Sequence, residues 1–148
     1  MITFQEIGPD NWQTDLSVSA EQQKYVNSAS QIIAELQENN ENQYYGYFIL
    51  NDSVPVGMVY YSDFPVLNAY NLCQFFIDSR YQRKGYGKQA ITQLLSMMAK
   101  DRKYPQVYVS YIRGNETARK LYESLGFVHT GYEYEDTIDM KRALPPAE

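Results

Sequence analysis

The residues Gln82-Arg83-Lys84-Gly85-Tyr86-Gly87-Lys88 stand between an apolar, strand-like segment, Leu72 to Ile77, and an amphipathic, helix-like one, Gly87 to Lys100. That succession sends a strand through a glycine loop into a helix, and it limits the fold more than any other stretch of the chain. Glycines at alternate positions let the backbone approach an anion closely. The first N–H groups of the following helix have no intrahelical partner and carry the positive end of its dipole. Arg83 and Lys84 add charge of the same sign. The stretch reads as a pyrophosphate cradle, against the competing reading of a loop and helix start that bind nothing.

Two other phosphate loops are weighed against it. Gly85-Tyr86-Gly87-Lys88-Gln89-Ala90 fits the G-x-G-x-x-G/A pattern of dinucleotide-binding folds. In that fold the glycines follow the strand almost at once, whereas Asp78 to Lys84 intervene here, seven residues with four charges. The next strand-like segment, Val107 to Ile112, ends in Arg113 and Gly114 rather than in an acidic residue for a ribose hydroxyl. The G-x-x-x-x-G-K-[ST] loop of nucleoside triphosphatases is absent, since Gln89 follows Lys88.

A second constellation runs from Asn115 to Phe127. Asn115 sits where an N-cap belongs and Gly126 where a helix stops, while Asn115, Ala118 and Tyr122 fall at i, i+3 and i+7 on one face. A small Ala between a polar Asn and a Tyr offers a stripe for a ligand chain. An ordinary core-facing helix accounts equally well for Ala118, Leu121 and Leu125.

Periodicity elsewhere predicts a strand over Thr3 to Ile7, a short helix over Asn11 to Val18, and a longer helix from Ala20 that Asn39-Asn40-Glu41-Asn42 ends. Strands follow at Tyr44 to Leu50 and Val54 to Tyr61, around a hairpin signal at Asn51-Asp52-Ser53. Phe127 to Tyr134 and Thr137 to Leu144 form a terminal strand pair. The expected order is β-α-α-β-β-β-α-β-α-β-β, one mixed, twisted α/β sheet of about seven strands with helices on both faces. One domain is expected over residues 1–144, with a tail at 145–148.

The two motifs, in this order and separated by one strand, resemble the GNAT superfamily of N-acetyltransferases. Its acetyl-CoA signature, Gln or Arg, two residues, Gly, one residue, Gly or Ala, is matched by Gln82, Gly85 and Gly87. Its downstream pattern N-x-x-A-x-x-L-Y-x-x-x-G-F is matched at every defined position from Asn115 to Phe127. Gln22 to Ser30 and Phe75-Phe76-Ile77-Asp78 further look similar to the bacterial diamine and polyamine (spermidine/spermine) acetyltransferases of that superfamily.

The resemblance implies a single-domain acyl-CoA N-acyltransferase fold that transfers the acetyl group of acetyl-CoA directly to a primary amine of a small molecule. It puts the CoA pyrophosphate on the backbone around Gln82, Arg83, Lys84, Gly85, Tyr86, Gly87 and Lys88, and the pantetheine arm along the backbone of Phe76 and Ile77. Asn115, Ala118 and Tyr122 line the thioester end, and Tyr122 protonates the departing thiolate. An attacking alkylammonium of pKa ~10.4 must first lose a proton, which costs about 4.6 kcal/mol at pH 7. Here the chain departs from its likeness. Several polyamine acetyltransferases carry an acidic residue two positions before the paired phenylalanines, where this chain has Cys73. Asp63, Asp78, Glu133, Glu135 and Asp136 are base candidates only as acids near strand ends. Tyr60, Tyr61, Tyr111, Tyr132 and Tyr134 surround the expected pocket among fifteen tyrosines. A non-catalytic acyl-CoA sensor is a competing reading, motivated by Cys73, and acetylation of a protein or peptide amine is a third.

Composition bounds these readings. A chain of 148 residues suits one domain, and a formal charge of −5 argues against a nucleic-acid partner while suiting a cationic substrate. With one cysteine and one histidine, a metal centre is not expected. The start lacks a basic segment followed by an apolar run, and no apolar stretch approaches the ~20 residues of a membrane helix. The expectation is a cytoplasmic protein without membrane partners. Because members of the superfamily often pair, a homodimer is also expected.

Overall fold

The computed structural model describes residues 1–8, 14–38 and 44–144. The expected tail at 145–148, the expected helix end at Asn39-Asn40-Glu41-Asn42 and the first three residues of the expected Asn11–Val18 helix lie outside them.

Seven strands form one sheet: β1 (Ile2–Glu6), β2 (Tyr44–Asn51), β3 (Val54–Phe64), β4 (Ala69–Ile77), β5 (Gln106–Ile112), β6 (Val128–Tyr134) and β7 (Thr137–Ala143), in the order β1-β2-β3-β4-β5-β7-β6. Only β4 and β5 run parallel, so the sheet is mixed. Helix α1 (Ala29–Glu38) precedes β2, α2 (Tyr86–Asp101) crosses over between β4 and β5, and α3 (Glu116–Ser124) links β5 to β6. Leu94 and Met98 of α2 and Tyr122 of α3 share a core with Val59, Leu72, Val109 and Met140. Ile32 and Ile33 of α1 cover the opposite face, on Phe48, Met58, Tyr60 and Phe76. Helices therefore lie on both faces, as expected.

The N-terminal helices differ from the expectation. Residues 14–18 have no regular structure, and the longer helix begins at Ala29 rather than Ala20. A capping box sets that start: the Gln31 N–H donates to Ser28 Oγ at 3.2 Å, and the Ser28 N–H donates back to Gln31 Oε1 at 2.7 Å. Residues 20–26 form separate turns instead, closed on the carbonyls of Ser19 and Gln22. Ser17 is spent on a distant partner, donating its N–H to Asp78 Oδ2 at 2.8 Å and accepting from the Ser79 N–H at 2.9 Å. Those bonds draw residues 14–18 onto the loop after β4, and a helix there would forfeit them.

One irregularity shapes the site. Against β3, Gln74 pairs with Tyr60 and Leu72 with Tyr61, so Cys73 is an extra residue bulged out of β4. Such a bulge bends its strand and raises the local twist. Pairing of β4 with β5 covers only Tyr70, Asn71 and Leu72, and ends at that point. Beyond Leu72 the two strands part. Among the described residues, no helix is long and apolar enough to cross a membrane.

Candidate active site

The gap between the parted strands is a cleft of about 590 Å³. Its wall includes Gly87, Ala118, Leu121 and Tyr122 from the α2 and α3 side, and Cys73, Gln74, Tyr25 and Val26 from the α1 side. The cleft thus passes through the sheet and opens toward both faces. The bulge contributes here too. Leu72 and Phe75 join the core under α2, whereas Cys73 packs with the α1 core and Gln74 Oε1 accepts from the Asn27 N–H at 3.4 Å. Two consecutive side chains therefore face the α1 opening.

Alternation along β4 decides which backbone groups reach the cleft. The Asp78 N–H donates to the Val56 carbonyl at 2.8 Å, which makes that pair a hydrogen-bonded one. Phe76, two residues earlier in the same register, turns its N–H and C=O to β3, and Phe75 and Ile77 turn theirs to the free edge. The expectation for Phe76 is corrected accordingly: its backbone is occupied by β3, while its side chain lines the cleft. The Ile77 carbonyl accepts from Gln82 Nε2 at 2.8 Å. A ligand chain running beside β4 is left the Phe75 N–H and C=O and the Ile77 N–H.

The expected cradle lies at the start of α2. Gly85 has φ +82° and Arg83 φ +65°, both left-handed, and no side chain caps α2. Its first N–H groups stay open at the cleft, where Arg83, Gly85, Tyr86, Gly87 and Lys88 form the wall. Gln82 is a brace as well as a wall: besides Ile77, its amide donates to Gln22 Oε1 at 2.9 Å and accepts from Gln22 Nε2 at 3.2 Å. The Tyr86 hydroxyl accepts from Asn51 Nδ2 at 3.0 Å. A Cβ on Gly87 would stand 3.3 Å from Phe75 Cζ and 3.8 Å from Leu121 Cδ2, so this glycine keeps α2 close to β4 and α3. Lys84, expected in the cradle, is exposed and outside the cleft wall.

On α3, Asn115 is the expected N-cap, its Oδ1 accepting from the Ala118 N–H at 3.3 Å. The helix ends in a Schellman motif. The Phe127 N–H donates to the Tyr122 carbonyl at 3.0 Å and the Gly126 N–H to the Glu123 carbonyl at 3.1 Å, with Gly126 at φ +92°. Tyr122 is 5 % exposed and reaches the cleft wall. Burial alone holds its pKa well above the ordinary phenol value, so the hydroxyl keeps its proton near neutral pH. A buried, protonated phenol at a cleft is equipped to donate.

None of the acids considered from sequence lines the cleft. Burial works to raise the pKa of Asp78, but hydrogen bonds from the Arg80 side chain and from the N–H groups of Ser17 and Arg80 outweigh it and hold the carboxyl below its ordinary value. Asp63 pairs with Lys103 at 3.2 Å and Glu133 with Arg113. Glu135 and Asp136 sit in the β6–β7 turn. Burial pushes the Cys73 thiol up, which leaves it little thiolate character for nucleophilic attack. Of the tyrosines, Tyr111 lines the cleft and its hydroxyl lies 2.8 Å from His129 Nε2. Tyr60 stacks on Tyr44, Tyr61 packs among Tyr45, Tyr47 and Tyr70, and Tyr132 and Tyr134 are exposed. Gln22, Tyr25, Gln74 and Phe75 were not legible as site residues. They reach the cleft from separate parts of the chain, and only the Ser28-x-x-Gln31 capping box hints at where the segment before α1 must turn.

Comparison with known proteins agrees with this geometry. The model of the acetyltransferase (GNAT) family matches residues 9–127. The spermine/spermidine N(1)-acetyltransferase of Bacillus subtilis is 32% identical over 123 residues, covering 79% of this chain and 80% of that protein. Among solved structures, an acetyltransferase from Thermus thermophilus superposes with a TM-score of 0.81 at 15% identity, over 97% of both chains. The Vibrio cholerae spermidine N-acetyltransferase, in complex with CoA and spermine, superposes with a TM-score of 0.77 at 17% identity, over 97% of this chain and 95% of that one.

Proposed function

Since this chain belongs to the acetyltransferase (GNAT) family, we propose that it transfers the acetyl group of acetyl-CoA to a primary amine of a small molecule, a polyamine or diamine. The observation that carries the reading is the cleft through the sheet, with an uncapped helix N-terminus and the buried residue Tyr122 in its wall. The residues fit the co-substrate. Open N–H groups at the start of α2, beside Arg83 and Lys88, suit a pyrophosphate. The free edge at Phe75 and Ile77 suits an extended amide chain added like a strand. Acetyl-CoA supplies an activated acyl group whose leaving thiolate needs one proton.

Tyr122 gives that proton, and Asn115 fixes the start of the helix that carries it. The Bacillus subtilis relative and the spermine-bound Vibrio cholerae neighbour support a polyamine as acceptor. The negative net charge favours a cationic substrate. Thiol release from acetyl-CoA, followed over spermidine, spermine, putrescine, lysine, an aminoglycoside and a short peptide, tests the reading. Amine-dependent release led by the polyamines is expected. Binding of acetyl-CoA without release on any amine would instead mark a sensor.

A further inference from the structure

The α1 opening of the cleft is walled by residues from separate parts of the chain. From β4 the bulge presents Cys73 and Gln74. Along β5, Val109 and Tyr111 join the core under α2 and α3, so alternation turns Ser110 and Ile112 to the other face, where both line the cleft. Val18, Gln22, Tyr25 and Val26 come from the segment before α1. None of these side chains is charged, so they select by shape rather than by charge pairing.

The segment before α1 is held on the β4 side at several points. Ser17 is bonded in both directions to Asp78 and Ser79, just after β4. Gln22 exchanges amide hydrogen bonds with Gln82 in both directions, at 2.9 and 3.2 Å, while its backbone carbonyl accepts from the Tyr25 N–H at 2.9 Å. The Asn27 N–H donates to Gln74 Oε1.

Tyr25 crosses from there to the β5 side. A Cβ on Gly114, in the turn between β5 and α3, would stand 3.0 Å from the Tyr25 hydroxyl oxygen and 3.7 Å from its Cε1 and Cζ. Gly114 is at φ +99°, a conformation that suits glycine, and its bare Cα leaves the room that the phenol takes up. Lys24 Nζ lies over one face of the same ring, 5.1 Å from its centroid, and adds to the hold on it.

We propose that Tyr25 selects the acceptor: it bars the α1 opening of the cleft, admitting an unbranched alkylamine and excluding an amine carried on a ring-shaped or branched scaffold. This inference rests on the acetyltransferase reading above and narrows its substrate class. A linear chain passes beside the phenol with the segment in place. A cyclic or branched acceptor has to displace Tyr25, and with it the Gly114 contact and the turn that the Gln22–Gln82 pair anchors. Gln22 is therefore a positioning residue, holding the turn from which Tyr25 reaches across.

The test compares kcat/KM for spermidine with kcat/KM for an aminoglycoside, both with acetyl-CoA, in wild type, Tyr25→Ala, Tyr25→Phe and Gln22→Ala. Wild type should favour spermidine. Tyr25→Ala should raise the aminoglycoside-to-spermidine ratio by about tenfold or more. Tyr25→Phe, which keeps the ring, should retain the wild-type ratio, and Gln22→Ala, which frees the turn, should fall between wild type and Tyr25→Ala. A merely structural role for Tyr25 would lower both rates together and leave the ratio where it was, which overturns the inference. A wild type without preference overturns it too. So does a Tyr25→Ala protein that gains activity with butyryl-CoA at an unaltered amine ranking, because Tyr25 would then stand against the acyl chain instead. If Tyr25→Ala does not fold, Gln22→Ala carries the same comparison. A wild-type protein that releases no thiol with any amine overturns the proposed function together with this inference, whereas wild-type release with a ratio untouched by Tyr25→Ala overturns this inference alone.

Discussion

Tyr122 and Phe127 are joined twice: the Phe127 N–H donates to the Tyr122 carbonyl at 3.0 Å, and their rings lie 5.6 Å apart. The contact is the apolar clasp of the Schellman motif that ends α3. It fixes the helix turn from which the phenol reaches the cleft, so the five residues from Tyr122 to Gly126 and the phenylalanine after them act as one positioning device.

Tyr122→Phe keeps both links and removes only the hydroxyl. Turnover should fall by roughly 10²–10⁴-fold, with acetyl-CoA affinity and thermal stability nearly unchanged. Steady-state kinetics and calorimetric titration check this, and equal turnover removes Tyr122 as the acid.

Gly126→Ala should loosen the clasp itself. At φ +92° an alanine is strained, and its Cβ would stand 3.1 Å from Arg142 Nε. The cost is about 1–2 kcal/mol, which in a domain of this size lowers Tm by roughly 2–4 °C per kcal/mol. Because Tyr122 moves with the motif, kcat should drop as well. A melt that matches wild type would mean the motif does not hold α3.

At the cradle, Gly87→Asp adds a carboxylate between α2, β4 and α3, against the anion that the helix N-terminus attracts. Acetyl-CoA binding should be lost, and the melting temperature should fall as well, because the added side chain meets Phe75, Ile77 and Leu121 where α2 packs on β4 and α3. Retained affinity would place the pyrophosphate elsewhere.

Asp78 links pH to stability. Its folded pKa lies below the ordinary 3.8, so between the two values the unfolded chain binds more protons there. This part of the stability is complete above about pH 5 and is lost as pH falls through the folded value. Asp78→Asn should be less stable at pH 7 by about 1.5–3 kcal/mol and should lose less on acidification. Denaturant curves at pH 7 and pH 3.5 that shift in parallel for both proteins would contradict the assignment.

With its thiol pushed up by burial, Cys73 should react slowly with iodoacetamide at pH 8, and Cys73→Ala should retain turnover within a few-fold. Loss of turnover together with a trapped acetyl-thioester on the protein would mark Cys73 as an acyl carrier instead.

The chain's sequence determined what short-range hydrogen bonding controls. The strand, glycine loop and helix around Gly85, the Asn115 cap and the Gly126 stop each use backbone groups within a few residues, so residue type at fixed spacing suffices to specify them. Tertiary structure decided the rest. The extra residue at Cys73 exists only relative to Tyr60 and Tyr61 across the sheet, and its parity turns Phe75 rather than Phe76 to the free edge. Gln82 finds Gln22 across 60 residues, and Asn27 finds Gln74 across 47. Residues 14–18 gave up their expected helix because Asp78, far along the chain, binds Ser17 first. Periodicity describes how an element repeats along itself. Which face meets which partner depends on register and docking, and those are set by burial between segments distant in sequence.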